Sequence, residues 1–155
     1  IQSVVILFMF LAGANFSLHY MVLRGNISAY WKNEEFRFYF LIIALATLMI
    51  LIANACAGLY ADLGRNLRDV LFQVVSIMTT TGFGTADFDT WPPFCRILLV
   101  SLMFVGGCAG STGGGIKVVR FLLFFKYARS QLHKLVHPRQ VETIKLGNTK
   151  VHQDV

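Results

Sequence analysis

Charged side chains are scarce in this sequence, and three long stretches have none. Only 14% of the 155 residues are Asp, Glu, Lys or Arg, whereas 55% are hydrophobic, and the mean hydropathy is +0.60. No charged residue occurs in residues 1–23, 38–61 or 97–116. Each stretch has about the 20 residues that a helix needs to cross a bilayer. The composition therefore excludes an ordinary soluble domain and predicts an all-α integral membrane protein.

Cysteine is scarce as well, and the sequence contains no recognisable catalytic constellation. Cys56, Cys95 and Cys108 lie in or beside apolar segments and do not have the spacing of metal ligands. A disulfide framework is therefore not expected. No nucleophile with a base, and no convergent pair of acids, is evident, so we do not expect an enzyme or a bound cofactor.

The basic residues indicate the orientation of the chain. Arg24, Lys32 and Arg37 lie between the first two apolar stretches, and a second basic group follows the third stretch from residue 117 onward. By the positive-inside rule both groups belong in the cytoplasm. The net charge of +6 is thus a signal of topology, and no nucleic-acid partner is expected. Residues 62–96 should start and finish outside.

Within that outer segment, residues 67–79 predict a short helix. Thirteen residues reach about 20 Å, which is too short to cross the membrane, so this helix should enter and stop. Asn66 is the expected N-cap, with Asp69 three residues further on. The C-terminal end of such a helix carries a partial negative charge, which stabilises a cation at the membrane centre.

The residues that follow match a potassium filter. Thr80, Thr81, Gly82, Phe83 and Gly84 fit the pattern Thr-x-Gly-aromatic-Gly, in which backbone carbonyl oxygens replace the hydration shell of the ion. We expect K⁺ to contact Thr80, Thr81 and Gly82. A glycine turn after a helix is the alternative reading, but the position between two spans of opposite direction favours a filter.

The third apolar stretch contains six glycines in ten residues, where each glycine costs a helix about 1 kcal/mol relative to alanine. Half-helices over 92–105 and 116–127, joined by an intramembrane gating loop, are therefore expected. We call residues 106–117 the glycine loop; its predicted gating residues are Gly106, Gly107, Gly110, Ser111, Thr112, Gly113, Gly114, Gly115 and Lys117. Close helix packing is an alternative for Gly106 and Gly110. Lys117 either fixes the loop, repels cations, or simply extends toward the cytoplasm.

These two motifs carry a family resemblance along the whole chain. SIMTTTGFG (76–84) and MFVGGCAGSTGGGIKVVR (103–120), together with Trp91 and Pro92, resemble the third repeat of the Trk-type potassium uptake proteins, the TrkH branch of the Trk/Ktr/HKT superfamily. The resemblance implies a multi-pass protein of the bacterial inner membrane, with K⁺ as the permeating ion. It also implies four pore-loop repeats around one pore, a homodimer, and a cytosolic nucleotide-binding regulatory subunit of the TrkA type.

The predicted organisation has three parts. Residues 1–24 would be a transmembrane helix that ends the preceding repeat. Residues 36–127 would form one repeat of a pseudo-tetrameric, potassium-channel-like fold, with an outer helix (36–60), a pore helix (67–79), a filter (80–84) and a broken inner helix (92–127). Residues 128–155 would be a cytoplasmic linker. Since one pore loop cannot encircle an ion, we expect a fragment rather than a chain that tetramerises.

The predicted function is potassium uptake through a gated, channel-like pore, to which this chain supplies one quarter of the filter and the gating loop. A less selective K⁺/Na⁺ channel or symporter of the same superfamily is the first alternative. A non-conducting structural membrane subunit, in which the glycines serve close packing alone, is the second.

Overall fold

The structure is a computed structural model that describes residues 1–136, 145–146 and 149–150. Its elements in chain order are α1 (Gln2–Ala12), α2 (Phe16–Leu23), α3 (Ala29–Lys32), α4 (Glu34–Cys56), α5 (Leu63–Met78), a 3-10 turn (Phe88–Thr90), α6 (Pro93–Met103), α7 (Val118–Val136), β1 (Lys145–Leu146) and β2 (Thr149–Lys150). The strands pair as a two-residue antiparallel hairpin. Helices otherwise dominate, in agreement with the predicted all-α fold.

Helix α4 is the clearest membrane span. It has 23 residues with a hydropathy of 2.4, and it reaches about 35 Å at 1.5 Å per residue. Asn33 caps its start, because the side-chain oxygen accepts a hydrogen bond from Phe36 N at 2.9 Å. The helix ends before Gly58, whose φ of +65° favours glycine. It thus begins two residues before, and ends four residues before, the predicted outer helix (36–60).

The first apolar stretch is not the single helix predicted over residues 1–24. Helices α1 and α2 meet at an angle of 104°. We call residues 12–15 the elbow. Asn15 caps α2 by accepting a hydrogen bond from Ser17 N at 2.8 Å, and a Cβ on Gly13 would lie 2.4 Å from the Tyr39 hydroxyl. A capped helix start and a close contact therefore interrupt a segment that has no charged residue.

Helix α5 lies at the centre and packs against α1, α4 and α6. Val70, Val74 and Met78 on this helix are fully buried. It begins four residues earlier than predicted, because Asp62 and not Asn66 is the N-cap: Asp62 Oδ1 accepts a hydrogen bond from Gly64 N at 2.9 Å. Asn66 lies inside the helix, where its side-chain oxygen accepts a hydrogen bond from Asn54 Nδ2 at 3.3 Å.

The inner helix is broken, but its halves differ from the predicted ones. Helix α6 ends at Met103 and α7 begins at Val118, so the non-helical stretch covers residues 104–117. Val105 and Ile116 form a parallel bridge across it, with Gly106 N donating to Ile116 O at 2.9 Å. Helix α7 continues nine residues beyond the predicted end at 127, into the segment predicted to be a linker.

Candidate functional site

The backbone turns sharply where α5 ends. Thr79 is the C-cap, Thr80 has a φ of +56°, and Gly82 has a φ of +81°. Among the described residues, Thr80 is the one non-glycine residue with a positive φ, a conformation that costs about 1–3 kcal/mol. Such strain persists where surrounding contacts hold it and is common at functional sites.

Side chains of the pore helix hold the segment after it. Ser76 Oγ donates a hydrogen bond to Phe83 O at 2.6 Å, and Gln73 Nε2 donates one to Ala86 O at 2.7 Å. Thr81 N donates to Ser76 O at 2.9 Å. All these partners lie within 13 residues of each other. The path of residues 80–84, the filter segment, is therefore fixed by α5 itself.

Four of the five carbonyl oxygens of the filter segment remain available. Within residues 1–136, no hydrogen bond ends on the carbonyl oxygen of Gly84 or on those of Thr80, Thr81 and Gly82, the three residues predicted to contact K⁺. The Phe83 carbonyl oxygen differs, because it accepts the hydrogen bond from Ser76 Oγ. Free carbonyl oxygens at the negative end of a helix dipole are suited to bind a monovalent cation. That K⁺ contacts these three residues stays a prediction.

The glycine loop folds tightly on itself. A Cβ on Gly106 would lie 1.8 Å from Gly114 O, and a Cβ on Gly107 would lie 2.7 Å from Ser111 Oγ. Gly115 has a φ of +71°. The absence of side chains at the first two positions is thus a steric requirement, because Gly114 O fills the space at Gly106, and Ser111 Oγ and Gly13 O fill it at Gly107. Close packing occurs both within the loop and between the loop and the elbow, rather than between two straight helices.

The loop is bound to the elbow of the preceding helix pair. Cys108 N donates a hydrogen bond to Gly13 O at 2.9 Å, and Thr112 N donates one to Ala12 O at 3.3 Å. The loop also accepts one hydrogen bond, from Phe16 N to Gly110 O at 3.2 Å. Sequence reasoning missed this contact. The sequence feature that could have indicated the contact is the presence of a glycine and a polar asparagine, Gly13 and Asn15, inside an apolar stretch.

The loop also contacts the filter segment. Gly114 N donates a hydrogen bond to Thr80 Oγ1 at 2.8 Å, which explains how the strained Thr80 is held. A Cβ on Gly113 would lie 3.4 Å from Thr79 O. The predicted proximity of the filter and the loop is therefore present in the structure, at the first residue of the filter segment.

Two charged residues contact the loop. The half-buried Lys117 turns its ammonium back onto the loop, where Nζ donates a hydrogen bond to Gly113 O, so simple extension toward the cytoplasm does not describe it. Glu35 in α4 is 8% exposed, and its Oε1 accepts a hydrogen bond from Ala109 N at 2.5 Å. Sequence reasoning missed Glu35. Its position two residues into a capped helix suggested nothing beyond a favourable helix dipole.

A short buried helix followed by free carbonyl oxygens, beside a glycine loop that breaks the next span, is the arrangement expected of a membrane transport protein of the pore-loop class. Comparisons with known proteins agree with this class. The family model TrkH, described as a cation transport protein, matches residues 1–155. The chain belongs to the TrkH family.

Individual relatives agree with this assignment. The chain is 40% identical over 153 residues to the Trk system potassium uptake protein TrkH of Escherichia coli (strain K12), covering 96% of this chain and 31% of the relative. It is also 40% identical over 158 residues to the TrkH of Vibrio parahaemolyticus serotype O3:K6, covering 100% of this chain and 33% of the relative. The chain thus spans about a third of the length of these relatives.

A solved structure matches the fold. The crystal structure of the potassium transporter TrkH from Vibrio parahaemolyticus superimposes with a TM-score of 0.91 at 39% identity, covering 99% of this chain and 34% of that one. The predictions of the family, of an all-α membrane fold and of a multi-pass inner-membrane protein are confirmed. The family is one of transport proteins.

Proposed function

We propose that the protein takes up potassium through a gated, channel-like pore in the bacterial inner membrane. In this proposal residues 80–84 are one of four filter segments, and the permeating ion is K⁺. The single observation that carries it is the set of three free carbonyl oxygens, on Thr80, Thr81 and Gly82, at the C-terminal end of α5. The names of the relatives, which are potassium uptake proteins, support the choice of ion.

The glycine loop is the proposed gate. It contacts Thr80 through Gly114 N, so it lies against the filter segment where an ion would enter or leave. Backbone carbonyl oxygens of the elbow accept hydrogen bonds from Cys108 N and from Thr112 N and Oγ1 of the loop. Each such bond contributes about 0.5–1.5 kcal/mol net, so the loop can detach without unfolding the helices around it.

The proposed assembly follows from the same geometry. One filter segment cannot surround an ion, so three further pore-loop repeats of the same polypeptide would complete the pore. A homodimer in membrane lipid and a cytosolic nucleotide-binding subunit of the TrkA type complete the proposal. The relatives' name, a Trk system, supports a protein that works with other components.

The proposed division of the chain keeps the parts named from the sequence. Residues 1–24 close the preceding repeat, residues 36–127 form one pore-loop repeat, and residues 128–155 lie in the cytoplasm. The observed helix bounds move the outer helix to Glu34–Cys56 and the pore helix to Leu63–Met78. The hydrogen bonds between elbow and loop would then join two successive repeats.

The filter is tested by rubidium-86 uptake into proteoliposomes that carry the full-length protein, with and without excess sodium. The variant is Gly82→Ser, and the matched control is Gly58→Ser. Both glycines have positive φ, +81° and +65°, and neither has an atom within 4 Å of an added Cβ. The two substitutions therefore impose similar backbone strain, but only the first alters the filter segment.

The wild type and Gly58→Ser are expected to keep rubidium uptake in excess sodium, and Gly82→Ser is expected to lose that resistance. Equal behaviour of all three proteins would contradict the role of residues 80–84 in selectivity. If wild-type uptake itself yields to sodium, the less selective channel or symporter is the better description. Absence of uptake from a correctly inserted wild type favours the non-conducting subunit.

A further inference from the structure

Glu35 is a buried acid whose partners lie far away along the chain. It sits in the first turn of α4, where the side chain is 8% exposed. Ala109, whose N–H donates to Glu35 Oε1 at 2.5 Å, is 74 residues away. The backbone N–H of Val119 also interacts electrostatically with this carboxylate. A charge in such a place is costly unless it is paired and hydrogen-bonded, so these partners stabilise it.

The two N–H groups lie on different structural units. Ala109 is in the middle of the glycine loop, and Val119 is in the first turn of α7. The first N–H groups of a helix have no partner within the helix, so a carboxylate at that position complements the helix dipole. Glu35 thus connects the loop and the start of α7 to α4.

Lys117 is the charged residue that faces Glu35. The ammonium interacts electrostatically with the Glu35 carboxylate and donates a hydrogen bond to Gly113 O. The neighbouring acid, Glu34, forms an ion pair with Lys126 of α7, whereas Glu35 accepts a hydrogen bond from Ala109 of the loop.

We propose that Glu35 is a positioning residue that holds the glycine loop in its docked conformation, by accepting a hydrogen bond from the loop while its charge faces the first turn of α7. This inference rests on the proposed gating function of the loop. A bond to an ionised acceptor is roughly twice as strong as one between neutral groups. Loss of the Glu35 charge should therefore release the loop more readily than loss of any single bond to the elbow.

The test compares Glu35→Gln with Glu34→Gln in the full-length protein. Glutamine keeps the size of the side chain and one acceptor oxygen, but it removes the charge and replaces the second acceptor oxygen by an amide donor. The structural readout is Cys108, which is fully buried in the docked loop. Its modification by a membrane-permeant maleimide is followed by mass spectrometry of the peptide that contains it, so other cysteines do not interfere. Rubidium-86 uptake is measured in parallel.

Glu35→Gln is expected to raise the rate of Cys108 modification about tenfold, since hydrogen bonds to charged groups are the strong ones. Uptake should rise while its resistance to sodium is unchanged, because the filter segment is intact. Glu34→Gln should match the wild type in both readouts. Wild-type protection of Cys108 in Glu35→Gln would overturn the proposal.

Two further results remain decisive. If Glu35→Gln does not give a monodisperse protein, Glu35→Asp replaces it. Aspartate keeps the charge, but its shorter side chain cannot reach both backbone N–H groups. The rate of Cys108 modification should then lie between that of the wild type and a tenfold increase. An Asp variant identical to the wild type overturns the proposal. Exposure of Cys108 with unchanged uptake supports the positioning role of Glu35 and contradicts the gating function of the loop.

Discussion

The filter segment and the glycine loop are both irregular backbone beside apolar helices, yet they are held in different ways. The filter segment is fixed by its own pore helix, through Ser76, Gln73 and other partners within 13 residues. The glycine loop is fixed by remote elements: the elbow, whose Ala12 lies 100 residues from Thr112 in sequence, and Glu35, which lies 74 residues from Ala109.

This difference indicates which of the two segments can move. A segment bound to its own helix can leave its place only if that helix unfolds or shifts. A loop bound to other elements can undock while every helix stays intact. The chain therefore combines a rigid filter segment, for which we propose ion binding, with a neighbouring loop that can change its position. Among the described hydrogen bonds, the one that joins them runs from Gly114 N to Thr80 Oγ1.

The largest effect is expected for Gly106→Ala. The added Cβ would lie 1.8 Å from Gly114 O, and backbone cannot move aside cheaply, so docking of the loop should lose about 3 kcal/mol. Thermal unfolding and the rate of Cys108 modification measure the loss. Gly114→Ala is the control, since its Cβ would meet Thr80 Oγ1 at an ordinary 3.5 Å. Equal effects of the two changes would contradict the steric account.

A smaller loss is expected for Gly13→Ala in the elbow. Its Cβ would lie 2.4 Å from the Tyr39 hydroxyl and 2.7 Å from Thr79 Cγ2, so the cost should be about 2 kcal/mol in unfolding free energy. Tyr39→Phe removes one of the two obstacles and should restore part of that loss in the double variant. A strictly additive double variant, measured by thermal unfolding, would mean that the hydroxyl is not the obstacle.

The contact between loop and filter segment is tested by Thr80→Val. Valine keeps the shape but removes the acceptor for Gly114 N, at a cost of about 1 kcal/mol. Thr80→Ser retains the hydroxyl and should be close to the wild type. Cys108 modification should rise for valine alone. A rise of equal size in both variants would show that the hydroxyl does not hold the loop.

The smallest effect is expected at the start of α5. Asp62→Ala removes the N-cap and should lower the unfolding free energy by about 1 kcal/mol, whereas Asp62→Asn keeps an acceptor and should be nearly neutral. Resistance of rubidium uptake to sodium should be unchanged in both, because the far end of the helix holds the filter segment. Loss of selectivity in Asp62→Ala would mean that the whole helix, rather than its last turns, determines the conformation of the filter segment.

Local patterns in the sequence were sufficient for the parts that depend on local chemistry. The absence of charge over residues 38–61 predicted α4, and the glycine content predicted the break between α6 and α7. The start of α5 was misplaced because Asp62 and Asn66 are both capping residues, one helical turn apart. Gly64 made the first turn look unlike a helix, although its low propensity is offset by the Asp62 cap.

Long-range contacts could not be predicted in the same way. Glu35 looks like an acid in the first turn of a helix, and nothing in its neighbourhood indicates a partner 74 residues away. Gly13 and Asn15 mark the elbow within an apolar stretch, but the contacts of Gly13 with Tyr39 and Thr79 exist only in the folded chain. Both sets of contacts are consequences of tertiary packing, to which periodicity and composition do not respond.

Hydrogen–deuterium exchange of the wild-type protein in nanodiscs tests the central comparison most directly. Peptides that cover residues 79–85 and 105–117 are compared, and both contain amides that are hydrogen-bonded in the structure. Exchange then reports opening rather than the mere absence of bonds. The account predicts that the bonded amides of the glycine loop exchange at least about tenfold faster than those of Thr79, Thr80 and Thr81. Equal rates, or faster exchange in the filter segment, would contradict it.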